Sequence, residues 1–380
     1  MTESSEKRAF RESVRRTIER HILPFVEEWE EKGIFPAHDL FPILGEAGLL
    51  GLEYAPEYGG QGADHTWTVI LGEELGRIPS MGLFTAIAVQ TDMATPSLHT
   101  YGSHDLKERY LRPAIEGRQV AAIAVTEPDA GSDVANIRTR AERDGDEWVI
   151  NGSKLYITNG VQADWLCLLA VTGEPGPRGM SQIVVPTDVP GVVVSRSLRK
   201  LGNKASDTAE IALADVRVPV SNTIGTVDRG FHQQMQQFQH ERMIGAYMAV
   251  GSMLMALAQT RQFVLERHAF GAPLANNQYI QFRLAELSAE LDLLRTYTHA
   301  CAESFVRGEN TQRQTSISKL KAARLQREIA DWCLQFHGGQ GYMEETWTAR
   351  YFRDARLLSI GGGADEVMLR VLARLDGLPA

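Results

Sequence analysis

The feature that most constrains this chain is a double change of apolar period along its length. Up to about Gly117 the apolar residues recur at helical spacing, as Ile18, Ile22, Phe25 and Val26, then Ile43, Leu44, Leu49 and Leu50, with polar breaks between. From about Ala121 to Val220 the texture becomes short β-branched or alternating runs: Ala121 to Thr126, Trp148 to Ile150, Leu155 to Thr158, Leu166 to Val171, Ile183 to Pro186, Val192 to Val194 and Val216 to Val218. Gly, Pro, Asn and Asp punctuate them, as expected of strands joined by turns. After Gly230 the helical period returns in three long stretches, roughly Phe231 to His268, Asn277 to Arg307 and Thr311 to His337, with a shorter one after Gly363. This order predicts an α+β chain of three domains: helices over 1–120, a β-barrel or sandwich over 121–226, and a four-helix bundle over 227–380. It argues against a doubly wound nucleotide-binding fold, where strands and helices alternate throughout.

Composition narrows the function classes. With 43% hydrophobic residues in 380, the chain is too apolar to remain disordered. Its net charge of -9, from 39 Lys plus Arg against 48 Asp plus Glu, gives no general attraction for nucleic acid or an anionic membrane. The apolar stretch Gly245 to Ala258 falls short of the ~20 residues of a bilayer span and reads as a buried helix. Cys167, Cys301 and Cys333 form no CxxC or Cys/His ligand spacing, so no metal site is expected and a reducing compartment fits best. The polar, acid-bearing N-terminal stretch carries neither an export nor an import pattern, and the expected location is cytoplasmic. No ExxH pair occurs among the ten histidines, which disfavours a di-iron bundle.

Taken singly, the motifs are modest. Thr126-Glu127-Pro128-Asp129-Ala130-Gly131-Ser132-Asp133 follows an apolar strand and concentrates hydroxyls and free N–H groups, yet by composition it is a turn. Asn151-Gly152-Ser153-Lys154-Leu155-Tyr156-Ile157-Thr158-Asn159-Gly160 reads as an Asn-Gly hairpin turn followed by a strand. The glycine clusters at 59–62, 338–341 and 361–363 match neither GxGxxG nor a P-loop.

Together, in this order, these segments resemble the signatures of the acyl-CoA dehydrogenase family of flavoproteins. Gly48-Leu49-Leu50-Gly51 with Pro56-Glu57-Tyr58-Gly59-Gly60 is similar to its N-terminal motif. Lys200-Leu201-Gly202, Asp215-Val216-Arg217-Val218-Pro219, Gly230-Phe231, Arg267-His268-Ala269-Phe270-Gly271, Gln335-Phe336-His337-Gly338-Gly339 and Tyr351-Phe352-Arg353-Asp354-Ala355-Arg356 continue the series. The resemblance covers nearly the whole chain. It implies an FAD-dependent α,β-dehydrogenase of an acyl thioester, on CoA or a carrier protein, acting as a homo-oligomer, often a tetramer, and passing electrons to an electron-transferring flavoprotein. By family pattern Val125, Thr126, Tyr156 and Thr158 would meet the flavin ring, with Ala364 and Glu366 also at the cofactor. Arg267, Phe270, Gln278, Gln335 and Gly339 would contact the FAD of a neighbouring subunit, and Ser132, Gln239, Arg242 and Gly362 the substrate.

The chain departs from one branch of that family at its base. Medium- and short-chain members carry a catalytic Glu in an EGT motif after the Arg-Asp-Ala segment, and that position is Gly362 here, which has no titratable group. The long-chain and isovaleryl branches place the base immediately before an arginine on the first long C-terminal helix, and that position is Glu241. A Glu beside an Arg is usually a paired surface charge. Gly245 one turn on leaves room for a ligand on the same face, and Gly362 would still supply an N–H for an oxyanion. Ala364 stands where relatives usually carry Thr, and Gln239 replaces a common Asp. A flavin oxidase or monooxygenase on the same fold, or a non-catalytic flavin-binding scaffold, are the alternative readings.

Overall fold

The computed structural model describes residues 4–379, so the outermost residues of the first and third expected segments lie outside it. The helices of the first segment used below are α1 (Ser5–His21), α2 (Ala37–Glu46), α3 (His65–Leu75) and α4 (Met81–Ala88), the last running on into a π turn, Val89–Ala94. Ser4 caps α1 by accepting from the Lys7 N–H, and Asp64 caps α3 by accepting from the Thr66 N–H, each satisfying a donor that the first turn leaves open.

Eight strands follow: β1 (Ala121–Ala124), β2 (Arg140–Asp144), β3 (Glu147–Thr158), β4 (Trp165–Val171), β5 (Met180–Pro186), β6 (Val192–Ser197), β7 (Thr208–Pro219) and β8 (Thr223–Ile224). They form one sheet in the order β6-β7-β3-β2-β4-β5-β8, with β1 parallel to β4 in register Ala121↔Trp165. Inward residues such as Trp148, Ile150, Leu166, Ile183 and Ile211 make its core.

One sequence expectation fails here. Asn151-Gly152 is not a hairpin turn but lies inside β3, at a register shift against β7 between Ile150 and Gly152. The hairpin turn is at Gly145-Asp146, between β2 and β3, where Gly145 takes φ 61°. Asn151 instead bonds Asp215 across the bulge through side chain and backbone.

The chain closes with α5 (Gly230–Glu266), a small hairpin β9 (His268–Ala269) and β10 (Ala272–Pro273), α6 (Gln278–Val306), α7 (Gln312–Gly341), α8 (Trp347–Asp354) and α9 (Asp365–Leu375). Helix α5 is long and apolar enough by length and composition to cross a bilayer, but 78% of its apolar window is buried inside the protein, as expected of a core helix. It packs on α3 at a distance only glycine allows: a Cβ on Gly251 would stand 2.0 Å from the Glu73 carbonyl oxygen, and one on Gly76 2.1 Å from that of Met248. Buried Glu73 also ties α3 to α6, accepting from Arg295 Nε at 2.7 Å and from His299 Nε2 at 2.8 Å.

Asp354 joins all three segments. Its carboxylate accepts from the N–H groups of Asn203 at 2.6 Å and Met81 at 3.1 Å, linking the end of α8 to the β6–β7 loop and to the start of α4. That pin accounts physically for the Arg353-Asp354-Ala355 segment.

Candidate active site

The loop after β1 is held by a buried ion pair. Lys154 on β3, fully buried, donates to Glu127 Oε1 at 2.9 Å and to the Val125 carbonyl at 3.0 Å. Glu127 also accepts from the N–H groups of Arg138 at 2.6 Å and Thr139 at 2.9 Å. Burial alone would raise the Glu127 carboxyl, but Lys154 and these donors hold it below its ordinary value. Leu155 N–H donates to the Thr126 carbonyl, so Val125 and Thr126 are fixed beside β3. A second register shift between Lys154 and Ile157 puts Tyr156 at φ 61° and turns its ring outward, 65% exposed. Thr126 and Thr158 are partly exposed on the same loop and strand end.

Glu241 lies on α5, one residue before buried Arg242. A Cβ built on Gly362 would stand 3.2 Å from Glu241 Oε1, so the two alternative base positions face one point in space. Burial lifts the Glu241 carboxyl above its ordinary range, against the lowering pull of Arg242 and Lys319. Gly362 takes φ 63°, and its N–H makes no hydrogen bond to another described residue. Lys319, 1% exposed, donates to the Gly363 carbonyl, and burial pulls its ammonium down to about 8. Three buried polar atoms nearby in the chain lack partners among the described residues: Gln239 Oε1, Arg242 Nε and Asp365 Oδ1. Of these, Arg242 Nε faces the glycine loop, 3.7 Å from where a Cβ on Gly363 would stand.

The expected residues divide into two sets. Arg267, Phe270, Gln278, Gln335 and Gly339 are all exposed, on the β9–β10 hairpin, the start of α6 and the end of α7. The side chains of Arg267, Gln278 and Gln335 make no hydrogen bond within the described chain. Phe270 is fully exposed, at φ 54° in the hairpin turn. Ser132 and Glu366 are exposed, and Ala364 is partly so, immediately before α9.

Sequence reasoning did not single out Lys319, Lys154, Glu127 or Asp354. A lysine or carboxylate within a helical or alternating pattern reads as solvated, and only nearby apolar residues, as Ile317 and Leu320 around Lys319, hint otherwise. The donor set fits a flavin. An exposed aromatic wall with two hydroxyls beside it offers a stacking face and polar edge contacts.

Comparison with known proteins agrees. Residues 4–118, 122–216 and 228–375 match the models of the acyl-CoA dehydrogenase N-terminal, middle and C-terminal domains. The chain is 36% identical to the long-chain specific acyl-CoA dehydrogenase of Rattus norvegicus mitochondria, over 98% of this chain and 86% of that protein. It superposes on an acyl-CoA dehydrogenase from Geobacillus kaustophilus with a TM-score of 0.95 at 36% identity, covering 99% of each chain. A glutaryl-CoA dehydrogenase from Mycobacterium smegmatis solved with FADH2 matches at 0.94 and 29% identity, over 100% of this chain and 96% of that one. The three-part fold, the convergence on Glu241 and these matches along the whole length agree: the chain belongs to the acyl-CoA dehydrogenase family, flavin-dependent oxidoreductases acting on CH–CH bonds.

Proposed function

We propose that this protein oxidises an acyl thioester to its 2-enoyl thioester with FAD as cofactor, and that Glu241 is the base that removes the α-proton. The observation that carries the reading is the 3.2 Å approach of Glu241 Oε1 to the position a side chain on Gly362 would take. A carboxylate raised by burial is a better proton acceptor than one in water, and the α-proton of a thioester demands one. The free Gly362 N–H is suited to the thioester oxygen, where charge develops as the proton leaves. Lys319 holds the Gly363 carbonyl farther along the same loop. When bound, FAD supplies the acceptor for the hydride that leaves the β-carbon. Val125, Thr126, Tyr156, Thr158, Ala364 and Glu366 would hold it, while Gln239, Arg242 and Ser132 would orient the substrate. Arg267, Phe270, Gln278, Gln335 and Gly339 would serve a neighbouring subunit's FAD, which makes the active form a homo-oligomer, a tetramer by family habit.

The same reading assigns electron export to an electron-transferring flavoprotein, a cytoplasmic location in keeping with three buried free cysteines, and folding units at 1–120, 121–226 and 227–380. The test is an anaerobic titration of the purified protein with a panel of acyl-CoA and acyl-carrier thioesters, followed by flavin bleaching. Stoichiometric peroxide during aerobic turnover would move the assignment to an oxidase. A protein that binds FAD but is bleached by no thioester would leave the scaffold reading.

A further inference from the structure

A cavity with buried polar groups in its wall reaches His240, the residue before Glu241 on α5. It has a volume of about 230 Å³, between α3, the π turn, the helix Pro96–Tyr101 and α5, and is partly open. Its lining mixes leucines and Phe305 with eight residues that carry polar groups: Glu53, Tyr54, Thr68, Thr91, Asp92, His99, Thr100 and His240. His240 directly precedes Glu241, and Gln237, one turn earlier on α5, donates to the Met93 carbonyl of the π turn, so the wall is tied to the helix that carries the base.

The polar groups are partly organised and partly unspent. Glu53 Oε1 accepts from His65 Nδ1 and from the Thr68 hydroxyl, both at 2.6 Å, and His65 Nε2 lies 3.2 Å from the Tyr247 hydroxyl. Burial opposes charge on Glu53, but His65 prevails and holds it at about 2. His240 makes no hydrogen bond to a described residue; its ring packs edge-on to Phe305 at 5.2 Å, and burial holds it at about 4, hence neutral, with one lone pair and one N–H to offer. Asp92, 6% exposed, has only the neighbouring Thr91 hydroxyl as a side-chain donor, and burial pushes its carboxyl up to about 7. A hydrocarbon tail here would leave the His240 ring without a hydrogen-bonding partner and the Asp92 carboxyl with Thr91 alone. The space suffices for a ring-sized or short branched group, since a cavity of about 150 Å³ holds a benzene.

We propose that this cavity receives the far end of the acyl group, and that the substrate's tail carries a hydrogen-bond donor, a hydroxyl or an amine, held by Asp92, His240 and Glu53. This rests on the dehydrogenase reading above. The groups left to meet a donor are the second oxygen of Glu53, the Asp92 carboxyl, which has only the Thr91 hydroxyl on it, and the lone pair of the neutral His240 ring.

The test uses the FAD-loaded protein and straight-chain acyl-CoA thioesters matched with their terminal hydroxy and amino analogues, scored by kcat/KM in anaerobic flavin bleaching. The analogue should exceed the plain thioester of equal length by roughly a hundredfold, because a site built to hydrogen-bond a donor rejects the ligand that lacks it. His240→Phe should erase most of that ratio. Asp92→Asn, which keeps shape and retains an acceptor oxygen, should keep the hydroxy preference and lose the amino one if the donor is cationic, or keep the whole ratio if the tail group is a hydroxyl held by His240 and Glu53. Equal or better bleaching by the plain thioesters, or a ratio unchanged in both variants, overturns the proposal. So does one equivalent of a divalent metal in the purified protein that is lost in His240→Ala, since Glu53, His65 and His240 offer ligand atoms within 4.8 Å of one another. Bleaching by no thioester at all is a different result, removing the dehydrogenase reading itself.

Discussion

Replacing Glu241 by Gln preserves shape and removes the proton acceptor. General-base loss lowers a rate by roughly 10²–10⁴-fold, which is about 3 to 5 kcal/mol in the barrier. FAD content and thioester affinity should be nearly unchanged, because neither requires the charge. The geometry permits a stricter test. A Cβ at position 362 would stand 3.2 Å from Glu241 Oε1, so a glutamate there sends its carboxylate into the space Glu241 now fills. In the Glu241→Gly background that space is vacated, and Gly362→Glu should recover at least tenfold over Glu241→Gly alone, a gain of about 1.4 kcal/mol. The cost falls on stability: Gly362 has φ 63°, where a side chain costs roughly 1–2 kcal/mol. For a domain of this size that is a fall of about 2–8 °C in Tm. Stopped-flow bleaching and thermal unfolding separate the two effects. Near-normal flavin reduction by Glu241→Gln refutes the assignment of the base, whatever the double variant does.

The pH dependence of stability should carry the signature of Asp92. Its folded carboxyl sits near 7 against 3.8 for the free side chain, so the folded state keeps a proton that the unfolded state has lost. Stability therefore falls as pH rises from about 4 to about 7, by up to about 4 kcal/mol, and Asp92→Asn should flatten that slope in urea titrations at a series of pH values. Lys154→Met strands Glu127 beside the β1 loop and should cost about 3–5 kcal/mol, with weaker FAD retention in dialysis; unchanged unfolding would show that the pair is incidental. Arg267→Ala combined with Phe270→Ala should lower FAD retention and the apparent mass in sedimentation together, whereas full FAD occupancy in a monomer would contradict the shared-cofactor reading.

Much of this fold is written in apolar period. The long stretches after Gly230 emerge as α5, α6 and α7 within a few residues, because each buries a continuous stripe. Two strands escape the pattern for physical reasons. Strand β2, Arg140-Ala141-Glu142-Arg143-Asp144, turns one residue inward and four outward, so its composition is that of a solvated loop, and only pairing with β3 makes it a strand. Asn151-Gly152 carries a strong turn preference, but that preference needs both residues at positive φ. Here cross-strand bonds to Asp215 and the continuation of β3 past the bulge prevail.

The site was legible only through order. Glu241 and Gly362 are far apart in sequence, and nothing local says that they meet; the resemblance supplied both positions and the coordinates their 3.2 Å approach. The polar cavity had no such guide. Glu53, His65, Asp92 and His240 come from four separate stretches of the chain, and in sequence each alone reads as an unremarkable polar residue.

A glycine at 362 is consistent with an active enzyme once the loop's two tasks are separated. A carboxylate there would abstract the proton, and the backbone N–H at the same residue would bind the thioester oxygen. The second task needs no side chain, only an N–H left free of internal partners and a fixed peptide plane. Gly362 at φ 63° has an N–H without a partner among the described residues, and Lys319 anchors the Gly363 carbonyl farther along the loop. With the first task moved to α5, a side chain at 362 would crowd Glu241 at 3.2 Å and set a second carboxylate against it. Like charges so close cannot both ionise, so one base would be silenced. Moving the glutamate onto the helix therefore calls for a small, uncharged residue at 362, and its left-handed backbone makes that residue glycine.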